Sequence, residues 1–315
     1  MSDTCCAPSL PALDAARSGL EVEPSSMPVP PDLRLMPIEG GSFRMGSEDG
    51  IFPGDGESPV RDVALSPFAI SAHAITNAQF GAFVAATGHR TDAERAGSSF
   101  VFSGFLTDAS RAAVRRVVAG TPWWASVEGA WWQAPEGPGS SVEGRPDHPV
   151  VHVSHDDALA FCAAYGLRLP TEAEWELAAR GGLEQCRYPW GDELLPDKQW
   201  RCNVWQGSFP EHNTAEDGWE GTAPVNAFGP NGYGLFNMVG NTWEWCSDWF
   251  TSRPAGGPAH DPRGPATGTA RVMRGGSHLC HESYCFRYRV AARSPTTPDT
   301  ATGHLGFRVA RSLDP

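Results

Sequence analysis

Two cysteines five residues apart, Cys280 and Cys285, stand in the densest run of reactive side chains, Arg274-Gly-Gly-Ser-His-Leu-Cys-His-Glu-Ser-Tyr-Cys-Phe-Arg-Tyr-Arg289. Thiolates are soft donors that select Cu(I) or zinc. Structural zinc takes four ligands in a tetrahedron, and His278 and His281 are near enough in sequence to complete such a set. A packed or disulfide-bonded pair of thiols has the same spacing, and spacing alone leaves all three readings open. His152 and His155, in HPVVHVSHDD, form a second candidate pair. On an alternating strand His152 shares a face with Ser154 while His155 points the other way. That geometry disfavours a shared metal and puts His155 at the start of the following helix.

Two oxygen-rich loops come next. NVWQGSFPEHNTAEDGW carries Asn203, Asn213, Glu216 and Asp217, and NGYGLFNMVGNTWEW carries Asn231, Asn237, Asn241 and Glu244. Calcium takes carboxylates, amide oxygens and backbone carbonyls together. Asn and Gly serve turns equally well, and neither loop follows the EF-hand pattern. No G-x-S-x-G elbow, phosphate-binding glycine loop or dinucleotide fingerprint occurs, which removes the usual support for hydrolase, kinase and nicotinamide-dehydrogenase readings.

The elements that position these residues are expected to be short. Of 315 residues, 35 are Gly, 28 Pro and 12 Trp, a balance that argues against a helical bundle and for loops ordered by large rigid side chains. Three helices carry start signals: Thr76 with Gln79, Ser154 with Asp157, and Thr171 with Glu174, closed near Gly88, Gly166 and Gly181-Gly182. Ordered structure is expected to begin at Leu35–Ile38, followed by a turn at Glu39–Gly41 and a strand around Ser42–Met45. Residues 1–32, rich in Pro, Ala and Ser, read as a disordered leader. With no internal repeat or linker, residues 33–315 read as one α+β domain with an irregular C-terminal half.

The net charge of -13, without any Lys/Arg-rich run, argues against nucleic-acid and anionic-membrane partners. The N-terminus lacks a basic region followed by an apolar one, and no window reaches the length of a membrane span. A cytoplasmic protein is expected. Eight cysteines are too sparse for a disulfide scaffold, and Cys5 and Cys6 fall in the leader.

The segments GGSFRMG, ITNAQFGAFVAATGHRTDAE, PWW, RPDHPVVHVS, RLPTEAEWELAARGG, YPWGDE, NVWQGSFP, NTAEDG, NGYGLFNMVGNTWEW, RGGSHLCHESYC, RYRVAARS, TPDT and HLGFR together resemble the formylglycine-generating enzyme family, also called sulfatase-modifying factors. The resemblance runs from Met36 to about Arg311. RLPTEAEWE and GNTWEW are shared by a wider superfamily that includes non-catalytic members and iron-dependent sulfoxide synthases. The segment GGSHLCHESYCFRYR is the specific one, since the generating enzymes pair these two cysteines. No HxxxHxE pattern of the sulfoxide synthases occurs. A non-catalytic binding module, with the cysteines as packing, is the other alternative.

The resemblance implies a variant of the C-type-lectin fold with low regular secondary structure. It also implies an oxidase converting a cysteine in a Cys-x-Pro-x-Arg segment of an unfolded sulfatase to Cα-formylglycine, using O₂ and an external thiol reductant. By the same resemblance, Cys280 and Cys285 bind Cu(I) and Ser277 hydrogen-bonds beside them. Trp243, Tyr284, Arg293 and His304 face the substrate, with His304 replacing the family's common asparagine. Two structural Ca²⁺ sites are implied, one from Asn203, the Val204 carbonyl, Asp217 and the Trp219 carbonyl. The other takes Asn237, the Gly240 and Thr242 carbonyls and Glu244. Val290 and Val309 stand where secreted animal members place disulfide cysteines, and Cys162 is retained without its partner. A monomer is expected.

Overall fold

The computed structural model describes residues 8, 27–30 and 32–313. Its helices, in chain order, are α1 (Asn77–Thr87), α2 (Asp92–Ala96), α3 (Asp108–Ala112), α4 (His155–Ala164) and α5 (Glu172–Arg180). The three expected helices open on reciprocal capping boxes. In α1 the Gln79 N–H donates to Thr76 Oγ1 at 3.1 Å while Gln79 Oε1 accepts the Thr76 N–H at 3.1 Å. Ser154 with Asp157, and Thr171 with Glu174, repeat the arrangement. Each such cap contributes about 1 kcal/mol by satisfying backbone donors that have no intrahelical partner. The sequence reading missed α2, capped by Thr91 with Glu94, and α3, capped by Thr107.

The strands are β1 (Leu35–Ile38), β2 (Gly41–Met45), β3 (Arg61–Leu65), β4 (Phe68–Ser71), β5 (Ser98–Phe102), β6 (Val114–Val117) and β7 (Trp124–Glu128). They continue with β8 (Gly207–Ser208), β9 (His212–Asn213), β10 (Trp243–Trp249), β11 (Ala259–His260), β12 (Arg271–Arg274), β13 (Arg293–Thr296), β14 (Leu305–Gly306) and β15 (Ala310–Ser312). They form small sheets ordered β1-β4-β15, β13-β12-β10-β14, β11-β3-β2, β5-β7-β6 and β8-β9. First and last strands flank β4, so the described chain closes on itself. One hydrophobic cluster runs from Leu33 to Val309 through Phe80, Phe161, Trp175, Trp243 and Trp245, which makes a single α+β domain. No described helix is long and apolar enough to cross a membrane.

Two expectations change. The stretch assigned to the leader lies mostly outside the described residues, but its end is attached to the fold. The Met27 N–H donates to the Ala164 carbonyl at 3.2 Å, Val29 packs on the core, and Asp32 accepts from Gln79. Residues 150–154 are not a regular strand, and His152 takes φ 60. That turn buries its ring between the Ser99 hydroxyl and the Pro135 carbonyl, each 2.7 Å away.

Candidate active site

The connection between antiparallel β12 and β13 carries Ser277, Cys280 and Cys285. It leaves β12 through Gly275 and Gly276, at φ 94 and 73. A Cβ on Gly276 would lie 3.0 Å from the Tyr288 backbone, so only glycine fits both the conformation and the space. Two tight turns follow. The Cys280 N–H donates to the Ser277 carbonyl at 2.9 Å, and the Cys285 N–H to the His281 carbonyl at 2.7 Å. The two sulfurs end 3.1 Å apart, buried and not joined in a disulfide. That separation exceeds the roughly 2.05 Å of a disulfide.

Each sulfur has a donor. The Ser277 N–H approaches Cys280 Sγ at 3.3 Å, with the Ser277 hydroxyl 4.0 Å away. Arg287 Nη1 approaches Cys285 Sγ at 4.0 Å. Ser277 Oγ also accepts the Leu279 N–H at 3.3 Å, which fixes the serine in the turn.

Above the thiols lies a narrow crevice with aromatic walls, its free volume about 10 Å³. Trp243 comes from β10, Trp124 from β7, and His304 from the residue before β14. The Trp124 and His304 rings are 4.6 Å apart, and His304 Nδ1 pairs with Thr302 Oγ1 at 2.7 Å. At the outer side Tyr284 stacks on Phe209 at 4.4 Å and meets Trp123 edge-on at 4.8 Å. The indole N–H groups of Trp124 and Trp243 are buried without a hydrogen-bond partner. Phe209, Trp123 and Trp124 were not singled out as site residues; the PWW and SFP segments that contain them were the available signal.

Arg293 is not brought to the cleft. It is buried in a fork with Glu172, Nε to Oε1 at 2.5 Å and Nη2 to Oε2 at 2.7 Å, while Nη1 donates to the Asp55 and Thr251 carbonyls. It belongs to an ion network around α5 that also holds Arg274, Glu176 and Arg180. Burial alone would raise the Glu176 carboxyl, but Arg180 and Arg274 outweigh it and hold it down to about 2. Nearby, burial and then the Glu172 charge push the Asp248 carboxyl up to about 7.

The histidines offered as zinc ligands do not reach the thiols. His278 Nδ1 is 2.8 Å from the Asn241 carbonyl and burial lowers it to about 4, while His281 Nδ1 pairs with the Ser283 hydroxyl. Among the described residues no three His, Cys, Asp or Glu side chains are grouped to hold a metal. His155 begins α4, as expected, and its buried ring sits edge-on to Trp245, lowered to about 3 by burial.

The oxygen-rich loops divide between turns and unpartnered acceptors. Asn231 Oδ1 accepts the Tyr233 and Leu235 N–H groups, and Asn241 Oδ1 accepts Ala223 N–H, so both serve the backbone. Asn203 Oδ1 and Asn237 Oδ1 are buried with no partner. Asp217 accepts from the Val204 and Trp219 N–H groups, and the Gln206 amide is wedged between its carboxylate and the Val204 carbonyl. Burial raises the Asp217 carboxyl, more than those donors lower it. Glu244 is already engaged by Arg308, at 2.5 and 2.8 Å, and by the Trp175 indole at 2.6 Å.

Fold and cleft define a single-domain α+β protein, poor in regular structure, that presents two reduced thiols beneath an aromatic cleft. Residues 23–313 match the family model of the Sulfatase-modifying factor enzyme 1-like domain. The chain is 61% identical to a formylglycine-generating enzyme of Thermomonospora curvata over 281 residues, 88% of this chain and 92% of that protein. It is 44% identical to an inactive Cα-formylglycine-generating enzyme 2 of Bos taurus, over 88% of each chain. The solved structure of PvdO from Pseudomonas aeruginosa superposes with a TM-score of 0.65 at 24% identity, covering 92% of this chain and 98% of that one, a likeness of fold alone. The chain belongs to the formylglycine-generating enzyme (sulfatase-modifying factor) family.

Proposed function

We propose that the protein is a copper-dependent oxidase that converts a peptidyl cysteine of a sulfatase, in a Cys-x-Pro-x-Arg segment, to Cα-formylglycine with O₂ and an external thiol reductant. Family membership alone does not carry this, because a relative named inactive shares 44% of its residues. The supporting observation is the pair of buried thiols, 3.1 Å apart and not disulfide-bonded, at the floor of the cleft. Two soft donors without a third grouped ligand suit a low-coordinate cuprous ion better than tetrahedral zinc. When bound, that ion would supply O₂ activation and a free position for the substrate sulfur.

The chain's own residues have separate tasks. The Ser277 N–H holds Cys280 Sγ in place. Trp124, Trp243 and His304 exclude water from the reacting sulfur, and the two buried indole N–H groups suit the backbone carbonyls of an extended client. Tyr284, stacked on Phe209, forms the outer wall.

Asn203 and Asn237 suit structural Ca²⁺, because an enclosed amide oxygen without a donor is what a hard cation satisfies. The Asp217 carboxylate and the Val204 carbonyl, both now engaged by the Gln206 amide, would supply further oxygens beside Asn203. Near Asn237, Glu244 already accepts from Arg308 and the Trp175 indole. The six described cysteines form no disulfide, which suits a reducing, cytoplasmic setting.

The test is a Cu(I) titration of the reduced protein followed by turnover of a Cys-x-Pro-x-Arg peptide. One equivalent is expected to bind, and Cys280→Ala and Cys285→Ala are each expected to abolish binding and aldehyde formation while the far-UV spectrum is unchanged. Full turnover by either variant with copper present would sink the reading.

A further inference from the structure

Resting on the copper reading above, we infer that Arg287 is a positioning residue for the thiol pair: clamped by Asp55 and Phe52, it sets Cys285 Sγ beside Cys280 Sγ and turns the positive end of a buried ion pair toward the place where anionic sulfur collects. Its guanidinium donates from Nε to Asp55 Oδ2 at 2.5 Å and from Nη2 to Asp55 Oδ1 at 3.2 Å, leaving Nη1 directed at Cys285 Sγ, 4.0 Å away. The Phe52 ring lies 4.0 Å from the guanidinium carbon, so the plane is held by a face contact as well as by the fork. Both members of the pair are buried, Arg287 8% and Asp55 7% exposed.

The clamp is itself anchored. Arg293 Nη1 donates to the Asp55 carbonyl at 3.0 Å, and Glu57, two residues on, forks Arg289 at 2.8 and 2.9 Å. Between them Gly56 takes φ 69, and a Cβ there would come within 2.5 Å of the Ser252 carbonyl. Asp55 therefore cannot drift, and neither can the arginine it holds.

The electrostatic need is specific to the proposed site. Two thiolates around a monovalent cation carry one net negative charge, and a substrate thiolate adds a second. Buried charge of one sign is costly without a counter-charge. Ser277 offers Cys280 only neutral groups, its N–H and its hydroxyl; the side-chain cation falls to Cys285.

The experiment compares the full-length wild type with Arg287→Met, Arg287→Lys and Asp55→Asn in a Cu(I) competition titration against a chromophoric chelator, with metal-free thermal melts alongside. Arg287→Met keeps an apolar stem over Phe52 and is expected to weaken Cu(I) binding on the order of 10- to 100-fold, the usual effect of removing a group that supports a metal ligand. Arg287→Lys is expected to restore part of that affinity, and Asp55→Asn to weaken it without touching either sulfur. A merely structural tie would lower the melting temperature and leave the affinity of the folded variants unchanged, and that result would overturn the inference. If Arg287→Met does not fold, unchanged affinity in Asp55→Asn overturns it equally. A wild type that takes up no Cu(I) sinks the copper reading, and this inference with it, before any variant is compared.

Discussion

Leaving a buried amide oxygen without a donor costs about 1–3 kcal/mol, and Asn203 Oδ1, in a residue 1% exposed, has no donor from the protein. A bound calcium ion would remove that cost. Adding Ca²⁺ to chelator-treated protein is therefore expected to raise the melting temperature, and Asn203→Ala is expected to shrink that rise. A melting curve indifferent to calcium would reject the assignment. Single residues were legible in proportion to how local their partners are. Cys280, Cys285 and Ser277 lie within one short segment, so their grouping shows in the sequence. The Arg287–Asp55 contact joins residues 232 apart, which no spacing announces. Arg293 was assigned to substrate by resemblance, but in three dimensions Glu172 and two carbonyls occupy it.

Capping boxes made the helices readable. Thr76, Ser154 and Thr171 each precede an apolar run long enough to show its period, whereas α2 and α3 have five residues each and no room for one. Their caps at Thr91 and Thr107 were present but had no periodic segment to support them. The HPVVHVS stretch alternates like a strand, yet burying the His152 ring turned its backbone away. Every residue of α5 is buried, and the helix presents Glu172, Glu176 and Arg180 to the ion network. Its cap therefore bears on more than the helix. Thr171→Ala is expected to cost about 1 kcal/mol, lowering the melting temperature by roughly 2–4 °C, as calorimetry would read. An unchanged melt would mean that packing alone holds the first turn.

Over the whole molecule, buried titratable groups set the response to acid. His152, His155 and His278 have folded pKa values of about 4, 3 and 4, below the ordinary 6.5, chiefly through burial. Folding is favoured while they stay neutral, so the stability they contribute is present above pH 6.5 and is lost as pH falls toward 4. Asp248 acts in the opposite direction. Its carboxyl is raised from 3.8 to about 7 by burial and then by Glu172, so its contribution is full below pH 3.8 and is lost as pH rises through 7. Burial lowers His73 and His148 as well, and raises Asp55, Asp157 and Asp217 as it does Asp248. Arginines hold Glu136, Glu172 and Glu176 down against burial, so the melting temperature is expected to fall on acidification from pH 6.5 to 4. Asp248→Asn, which removes one opposing group, is expected to steepen that fall. A shallower fall in the variant would contradict the assignment.

The pairing of β1 and β15 on either side of β4, together with the hold of residues 52–57 on Arg287 and Arg289, has a consequence for biogenesis. Ribosomes deliver the clamp more than two hundred residues before the cysteines it steadies. Contacts so distant along the chain close late and slowly. A nascent chain thus carries its two thiols unsupported until the small sheets have closed around them. On the proposed copper site, Cu(I) uptake is expected only at the end of folding, and fragments split between the clamp and the cysteine loop are expected to show it only on reassociating.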